Sequence, residues 1–257
     1  MIKIENLSVR VQDKQILKNI NLTIADGENI CILGQNGCGK TTLLKAIAGL
    51  ITYEGKISID NVDIQTLKRK DLAKKLSMMS QFTNVAFDYS VYETVMMGRY
   101  SQLKSKSLFP TVNSEDRKIV EDALKLSDLY ELSNRSINSL SGGQQQRVFL
   151  AKNLAQNPDI LLLDEPNNHL DLKNQIELIN YLREWSKSKN KNVIGVFHDL
   201  PLALSLTDQV IFMKEGQIVK QGLFTDIATK SLLEEVFEVQ LLDFYQKQSD
   251  YFKHIRD

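Results

Sequence analysis

Gly34-Gln35-Asn36-Gly37-Cys38-Gly39-Lys40-Thr41 is the stretch that decides the fold. It fits G-x-x-x-x-G-K-[ST], and its flanks count as much as its letters. Just upstream, Asn29 to Leu33 is a short, nearly all-apolar run, as expected for a strand buried on both faces of a parallel sheet. Just downstream, Lys40 to Leu50 reads as a helix with Gly49 as its stop signal. In such a strand-loop-helix unit the glycines let successive backbone N–H groups point inward as a nest for phosphate oxygens. The helix N-terminus adds partial positive charge. Lys40 is then placed to reach the β- and γ-phosphates, and the Thr41 hydroxyl to ligate Mg²⁺. Gly34 to Thr42 is the expected nucleotide-binding loop.

That loop says nucleotide without saying which reaction. Ile160-Leu161-Leu162-Leu163-Asp164-Glu165-Pro166 says more: it is a second buried strand, and it ends in two carboxylates. At a strand's carboxyl end in an open α/β sheet these face the ligand crevice. Asp164 can hold Mg²⁺ directly or through its water, and Glu165 is placed to polarise an attacking water as general base. Leu140-Ser141-Gly142-Gly143-Gln144 opens a helix and makes a further anion site, with nothing local for it to bind. Two phosphate-binding elements with one phosphate-positioning lysine suggest that one element serves a neighbour's nucleotide. A bare helix cap would need Ser141 but not the Gly142-Gly143 pair.

With these motifs together the sequence resembles the nucleotide-binding subunit of an ATP-binding cassette (ABC) transporter over nearly its whole length. Leu140 to Gln144 is that family's LSGGQ signature. The resemblance implies a head-to-tail homodimer holding ATP and Mg²⁺, with Ser141, Gly142, Gly143 and Gln144 facing the partner's nucleotide. It makes Gln81 the glutamine that senses the γ-phosphate and Mg²⁺ and couples to the membrane subunits. Asp171, in Asn168-His169-Leu170-Asp171, falls near the dimer seam, and His198 matches the switch histidine that contacts the γ-phosphate. Val11 falls where the family usually has an aromatic residue stacked on adenine; no Phe, Tyr, Trp or His precedes Tyr53. Val95-Met96-Met97-Gly98-Arg99-Tyr100 and Leu233-Glu234-Glu235-Val236-Phe237 are similar to segments of importers for iron–siderophore, haem and cobalamin. The implied partners are integral membrane permease subunits, and through them a substrate-binding protein. The implied place is the cytoplasmic face of the cell membrane.

The implied fold is a P-loop NTPase core with an antiparallel β subdomain and an inserted helical subdomain. Residues 1–85 and 156–222 form the expected core, 86–155 the helical insertion carrying the signature, and 223–257 a peripheral helical tail. The pattern agrees. Ile2, Ile4, Leu7, Val9 and Val11 alternate with polar residues, and Ile16 to Ile24 continue as strand. Lys56 to Ile59, Val193 to Phe197, and Val210 to Met213 paired with Gln217 to Lys220 read as further strands. Lys68 to Leu76 is basic and amphipathic. Tyr92 to Tyr100, Glu115 to Leu126, Gly143 to Ala155 and Leu170 to Trp185 look helical, and Lys187 to Lys191 reads as a solvated loop.

Composition removes several classes. Thirty-two basic residues balance thirty-two acidic ones, so no global positive field exists to hold nucleic acid. No apolar run approaches the ~18 residues needed to span a bilayer. Met1-Ile2-Lys3-Ile4-Glu5 does not read as a signal peptide, so a chain that is neither secreted nor membrane-crossing is expected. Cys31 and Cys38 are the only cysteines and lack metal-ligand or disulfide-framework spacing, which fits a reduced setting. The alternative, a non-transport cassette of the DNA-repair or ribosome-associated type, would carry a long coiled coil or two cassettes. This sequence has neither heptad arrays nor a second P-loop.

Overall fold

The computed structural model describes residues 1–80, 88–102, 112–168 and 170–253. Two sheets organise them. β1 (Ile2–Val11), β2 (Lys14–Ile24), β4 (Glu54–Ile59) and β5 (Val62–Asp63) form an antiparallel sheet of order β2-β1-β4-β5. The second sheet has six strands in the order β10-β9-β3-β8-β7-β6. These are β3 (Ile30–Leu33), β6 (Leu76–Met79), β7 (Ile160–Asp164), β8 (Asn192–Val196), β9 (Gln209–Lys214) and β10 (Gln217–Leu223). Its pairs are parallel except for the β9–β10 hairpin.

The all-apolar strands are explained by what lies on each face. Ile30, Ile32, Leu162, Ile194, Ile211 and Met213 pack into one core with β1, β2, β4 and α1 (Lys40–Ile47). Cys31, Leu33, Leu161, Leu163, Val210 and Phe212 point the other way, into a core shared with helices. With both faces covered, alternation has no polar phase to show. α2 (Arg69–Lys75) leads directly into β6, a strand whose Leu76-Ser77-Met78-Met79 is too short to announce itself in the sequence.

Between β6 and β7 the chain builds α3 (Val91–Met96), α4 (Ser114–Leu126) and α5 (Gly142–Ala155), each opened by a capping box. Gly98 and Arg99 lock them together. A Cβ on Gly98 would sit 2.2 Å from Lys152 O of α5. Arg99, 7% exposed, donates from Nε to Asp116 Oδ1 of α4 at 2.9 Å and from Nη1 to Ala155 O at 2.8 Å.

Two expectations are corrected. α6 (Leu172–Lys189) continues through the segment read as a solvated loop and ends on Asn190 at φ +50. Lys191 is then buried, 8% exposed, with its ammonium on Asn157 Oδ1 (2.8 Å), Asn157 O and Pro158 O. Its charge also lies 5.1 Å from the Trp185 ring centroid. A lysine can be buried when its donors find acceptors. The tail is not peripheral either. After α7 (Leu200–Leu206), α8 (Phe224–Ile227) and α9 (Lys230–Phe237), Leu233 and Val236 are fully buried, and Phe212 meets the Phe224 and Phe237 rings. In α10 (Leu241–Phe252) large apolar side chains are exposed, among them Phe244 and Tyr251.

Candidate functional site: a nucleotide cleft

The carboxyl ends of β3, β7 and β8 converge on one cleft of about 280 Å³, lined by Ile16, Asn36, Gly37, Lys40, Thr41 and Glu165 among others. Gly39 and Thr42 complete its floor. The loop that enters it needs glycine for two separate reasons. Gly34, Gly37 and Gly39 take positive φ, and Gly39 at +108 caps α1 in the left-handed region. At Gly34 a Cβ would also meet Met213 O at 2.2 Å and Cys38 Sγ at 3.0 Å. The loop is pinned from outside as well, since Gly216 N donates to Cys38 O (3.0 Å) and Gly216 O accepts from Lys18 N (2.9 Å).

Lys40 is 5% exposed and its ammonium donates to Gly34 O at 2.7 Å and Gln35 O at 2.8 Å. Burial pushes its pKa below the ordinary lysine value, against the opposing pull of Cys38, Glu165 and Asp164. Thr41 Oγ1 donates to Asp164 Oδ1 at 2.9 Å. Burial raises the Asp164 pKa, the Thr41 bond opposes that, and the Glu165 charge adds to it. Burial likewise raises the Cys38 thiol, so that side chain is packing under the loop and not a thiolate nucleophile.

Glu165 stands at φ +54, uncommon for a residue with a side chain, and its N–H donates to Val196 O at 3.1 Å. Its carboxylate is held at both oxygens: Oε1 by His198 Nε2 and Oε2 by Asn168 Nδ2 at 2.5 Å. Sequence reading named Glu165 and His198 but not Asn168, whose role shows only once the turn is folded.

Other expected residues are placed elsewhere. Ser141 caps α5, accepting from Gln144 N (3.3 Å) and donating its own N–H to Gln144 Oε1 (3.0 Å). Ser141 and Gly142 are exposed, and a Cβ on Gly142 would meet nothing; neither they nor Gly143 and Gln144 line this cleft. Asp171 is exposed and caps α6 through Asn174 N at 2.8 Å. Val11, at the end of β1, is 53% exposed and does not line the cleft, where Ile16 supplies the apolar side chain. Gln81 lies outside the described residues. A second, larger cavity of about 430 Å³ is separate from these groups and runs between α2, β6 and α5, with Arg69, Ser80, Phe149 and Lys152 on its walls.

The donor set suits a hard divalent cation: a hydroxyl and a carboxylate in contact, with a second carboxylate adjacent. Among the described residues no group of three or more His, Cys, Asp or Glu could hold a metal alone. Phosphate and water oxygens usually complete such a set around Mg²⁺ where it meets nucleotides.

The family model for ABC transporter matches residues 17–168. The chain belongs to the ABC transporter family. Its ATP-binding subunits hydrolyse ATP in step with transport, and this cassette is such an ATPase. It is 34% identical to the iron(3+)-hydroxamate import ATP-binding protein FhuC of Bacillus subtilis, over 91% of this chain and 87% of that one. It is 37% identical to the hemin import ATP-binding protein HmuV of Rhizobium meliloti, covering 92% and 91%. A metal-chelate type ABC transporter in an inward-facing conformation superposes with TM-score 0.77 at 29% identity, over 93% of this chain and 88% of that one. The dimeric cassette MJ0796 bound to ADP and Pi does so at 0.76 and 31%, covering 87% and 98%. No described helix of this cassette is long and apolar enough to cross a membrane.

Proposed function

We propose that the cassette binds ATP with Mg²⁺, closes head to tail on a second copy, and uses hydrolysis to drive import of chelated iron or haem. The import path is a separate permease, fed by a substrate-binding protein, with the cassette held at the cytoplasmic face of the membrane. The observation that carries the chemistry is the double grip on Glu165 beside the Thr41–Asp164 pair and the Gly34–Thr42 loop. The cargo class is supported by what the relatives' names say they import.

In this reading the Gly34–Thr42 backbone and Lys40 bind the phosphates. Lys40 already faces neutral oxygens, so a phosphate oxygen offers its charge a better partner. Thr41 and Asp164 would hold Mg²⁺, which when bound supplies charge neutralisation at the phosphate oxygens. Gln81 is proposed as a further contact to that group. Glu165 orients and deprotonates the attacking water, and His198 holds the carboxylate in place from the other side. Catalysis is then positioning and electrostatic stabilisation, with little covalent work for the protein. Ser141, Gly142, Gly143 and Gln144 face the partner's nucleotide, which fits the exposure of Ser141 and Gly142 and the position of all four outside their own cleft, and Asp171 lies at the seam. ATP favours the closed pair because only closure completes both sites. The cavity between α2, β6 and α5, which reaches Ser80, is the proposed seat of the permease.

Glu165→Gln is the decisive variant. ATP binding should persist, hydrolysis should slow by about 10²–10⁴-fold as for loss of a positioned base, and an ATP-dependent dimer should accumulate. Turnover near the wild-type rate would remove Glu165 from this role.

A further inference from the structure

Three consecutive glutamines open α5, and each makes a different tie. Gln144 completes the Ser141 cap. Gln145 Nε2 donates back to Ile137 O (3.1 Å) and Leu140 O (3.3 Å), fixing the approach to the cap. Gln146 Nε2 reaches across to Pro166 O at 2.9 Å. Pro166 follows Glu165 directly, and the turn they share is a hydrogen-bonded unit, closed by Asn168 N to Glu165 O at 3.3 Å and Asn168 Nδ2 to the Glu165 carboxylate. One side chain therefore joins the helix that carries Ser141 to the turn that carries Glu165.

The orientation of the Gln146 amide is fixed, since only its nitrogen can face a carbonyl. Its Oε1 is then buried without a hydrogen bond among the described residues, as is Oδ1 of the neighbouring Asn167. A half-matched amide is poor filler, because methionine would occupy the same space without burying a polar atom. The surrounding geometry gives the amide a better use. Ser141 serves the partner's nucleotide in the head-to-tail reading above, while Glu165 serves the chain's own.

We propose that Gln146 is a positioning residue that links the two nucleotide sites of the dimer through each chain. A nucleotide held on Ser141 sets the position of α5, α5 sets Pro166 through Gln146, and the turn presents Glu165 accordingly. The inference rests on the head-to-tail arrangement under Proposed function.

The test is ATP turnover by the full chain against ATP concentration, at protein concentrations high enough that the curve no longer depends on them. Wild type should be sigmoidal, with a Hill coefficient between 1 and the limit of about 2 set by two linked sites. Gln146→Met should lower it clearly toward 1, leaving only the coupling that closure itself supplies, while the thermal midpoint stays close to wild type. If that variant fails to fold, Gln146→Glu keeps the shape, removes the donor, and should give the same flattening. An unchanged Hill coefficient in a folded variant overturns the link, even if the rate falls, because a merely structural role lowers rate or stability alone. A hyperbolic wild type that hydrolyses ATP overturns it too. Absence of turnover in wild type instead overturns the functional reading beneath it.

Discussion

Gly39-Lys40 and Gly98-Arg99 look alike on paper, and the structure puts them to opposite uses. Each glycine lets backbone come closer than a side chain would allow, against Leu17 in one case and Lys152 O in the other. Each cation is almost completely buried. The difference lies in what meets the charge. Arg99 finds the Asp116 carboxylate and a carbonyl, so its charge is cancelled inside the fold. Lys40 finds two carbonyls, and among the described residues no carboxylate lies within ion-pair distance. Burial lowers its pKa accordingly. A buried charge that is neutralised serves the fold, and one left short of a counter-charge is prepared for an anion from outside.

The largest effect that could break this contrast is on stability. Arg99→Met strands Asp116 in the core, and breaking a buried pair from one side costs about 3–5 kcal/mol. Thermal or urea unfolding should show that loss, with ATP turnover per folded molecule retained. Lys40→Met should do the reverse. Hydrolysis should fall about 10²–10³-fold, the scale of losing one preorganised donor to the reacting phosphoryl group. Its thermal midpoint should hold or rise, since an incompletely paired charge leaves the interior. Equal destabilisation by the two variants would erase the distinction between them.

The same contrast explains how much could be read in advance. The Gly34–Thr41 loop, the strand ending in Asp164-Glu165 and the α5 cap are local patterns, and each lies where its sequence puts it. The Gly98-Arg99 segment was legible only as a likeness to certain importers; its physical role depends on Asp116 and Ala155, far along the chain. Lys191 misled for the same reason. Its neighbours are polar, and only the fold brings Asn157 and Pro158 to its ammonium. The Leu233 and Val236 pair hid within a short helix whose partner strands lie earlier in the chain. Asn168 sat in plain view inside a recognised motif, and Gln146 two residues past another. Nothing in residue type distinguishes an amide on the surface from one bonded to Glu165 or Pro166.

The smallest effect concerns the other end of the nucleotide. The groups proposed for phosphate are dense in the cleft, but among the described residues that line it nothing comparable is offered to a base. Val11 pairs with Lys14 at the tip of the β1–β2 hairpin and is half exposed, and the one apolar cleft residue from that hairpin is Ile16. An aliphatic contact covers part of a purine without offering a planar face. Stacking a base on an aromatic side chain is worth roughly 1–3 kcal/mol, and some of that is already supplied by the aliphatic cover. Val11→Tyr should therefore tighten ATP binding by about 5–30-fold, equivalent to roughly 1–2 kcal/mol. The gain should be similar for GTP, because a ring face reads either purine and carries no hydrogen-bond code. Calorimetry on the Glu165→Gln background measures both nucleotides without turnover. A gain for ATP alone would mean that the hairpin tip contacts the adenine edge. No gain for either would place the base away from Val11, and would leave the phosphate grip around Lys40 to account for affinity by itself.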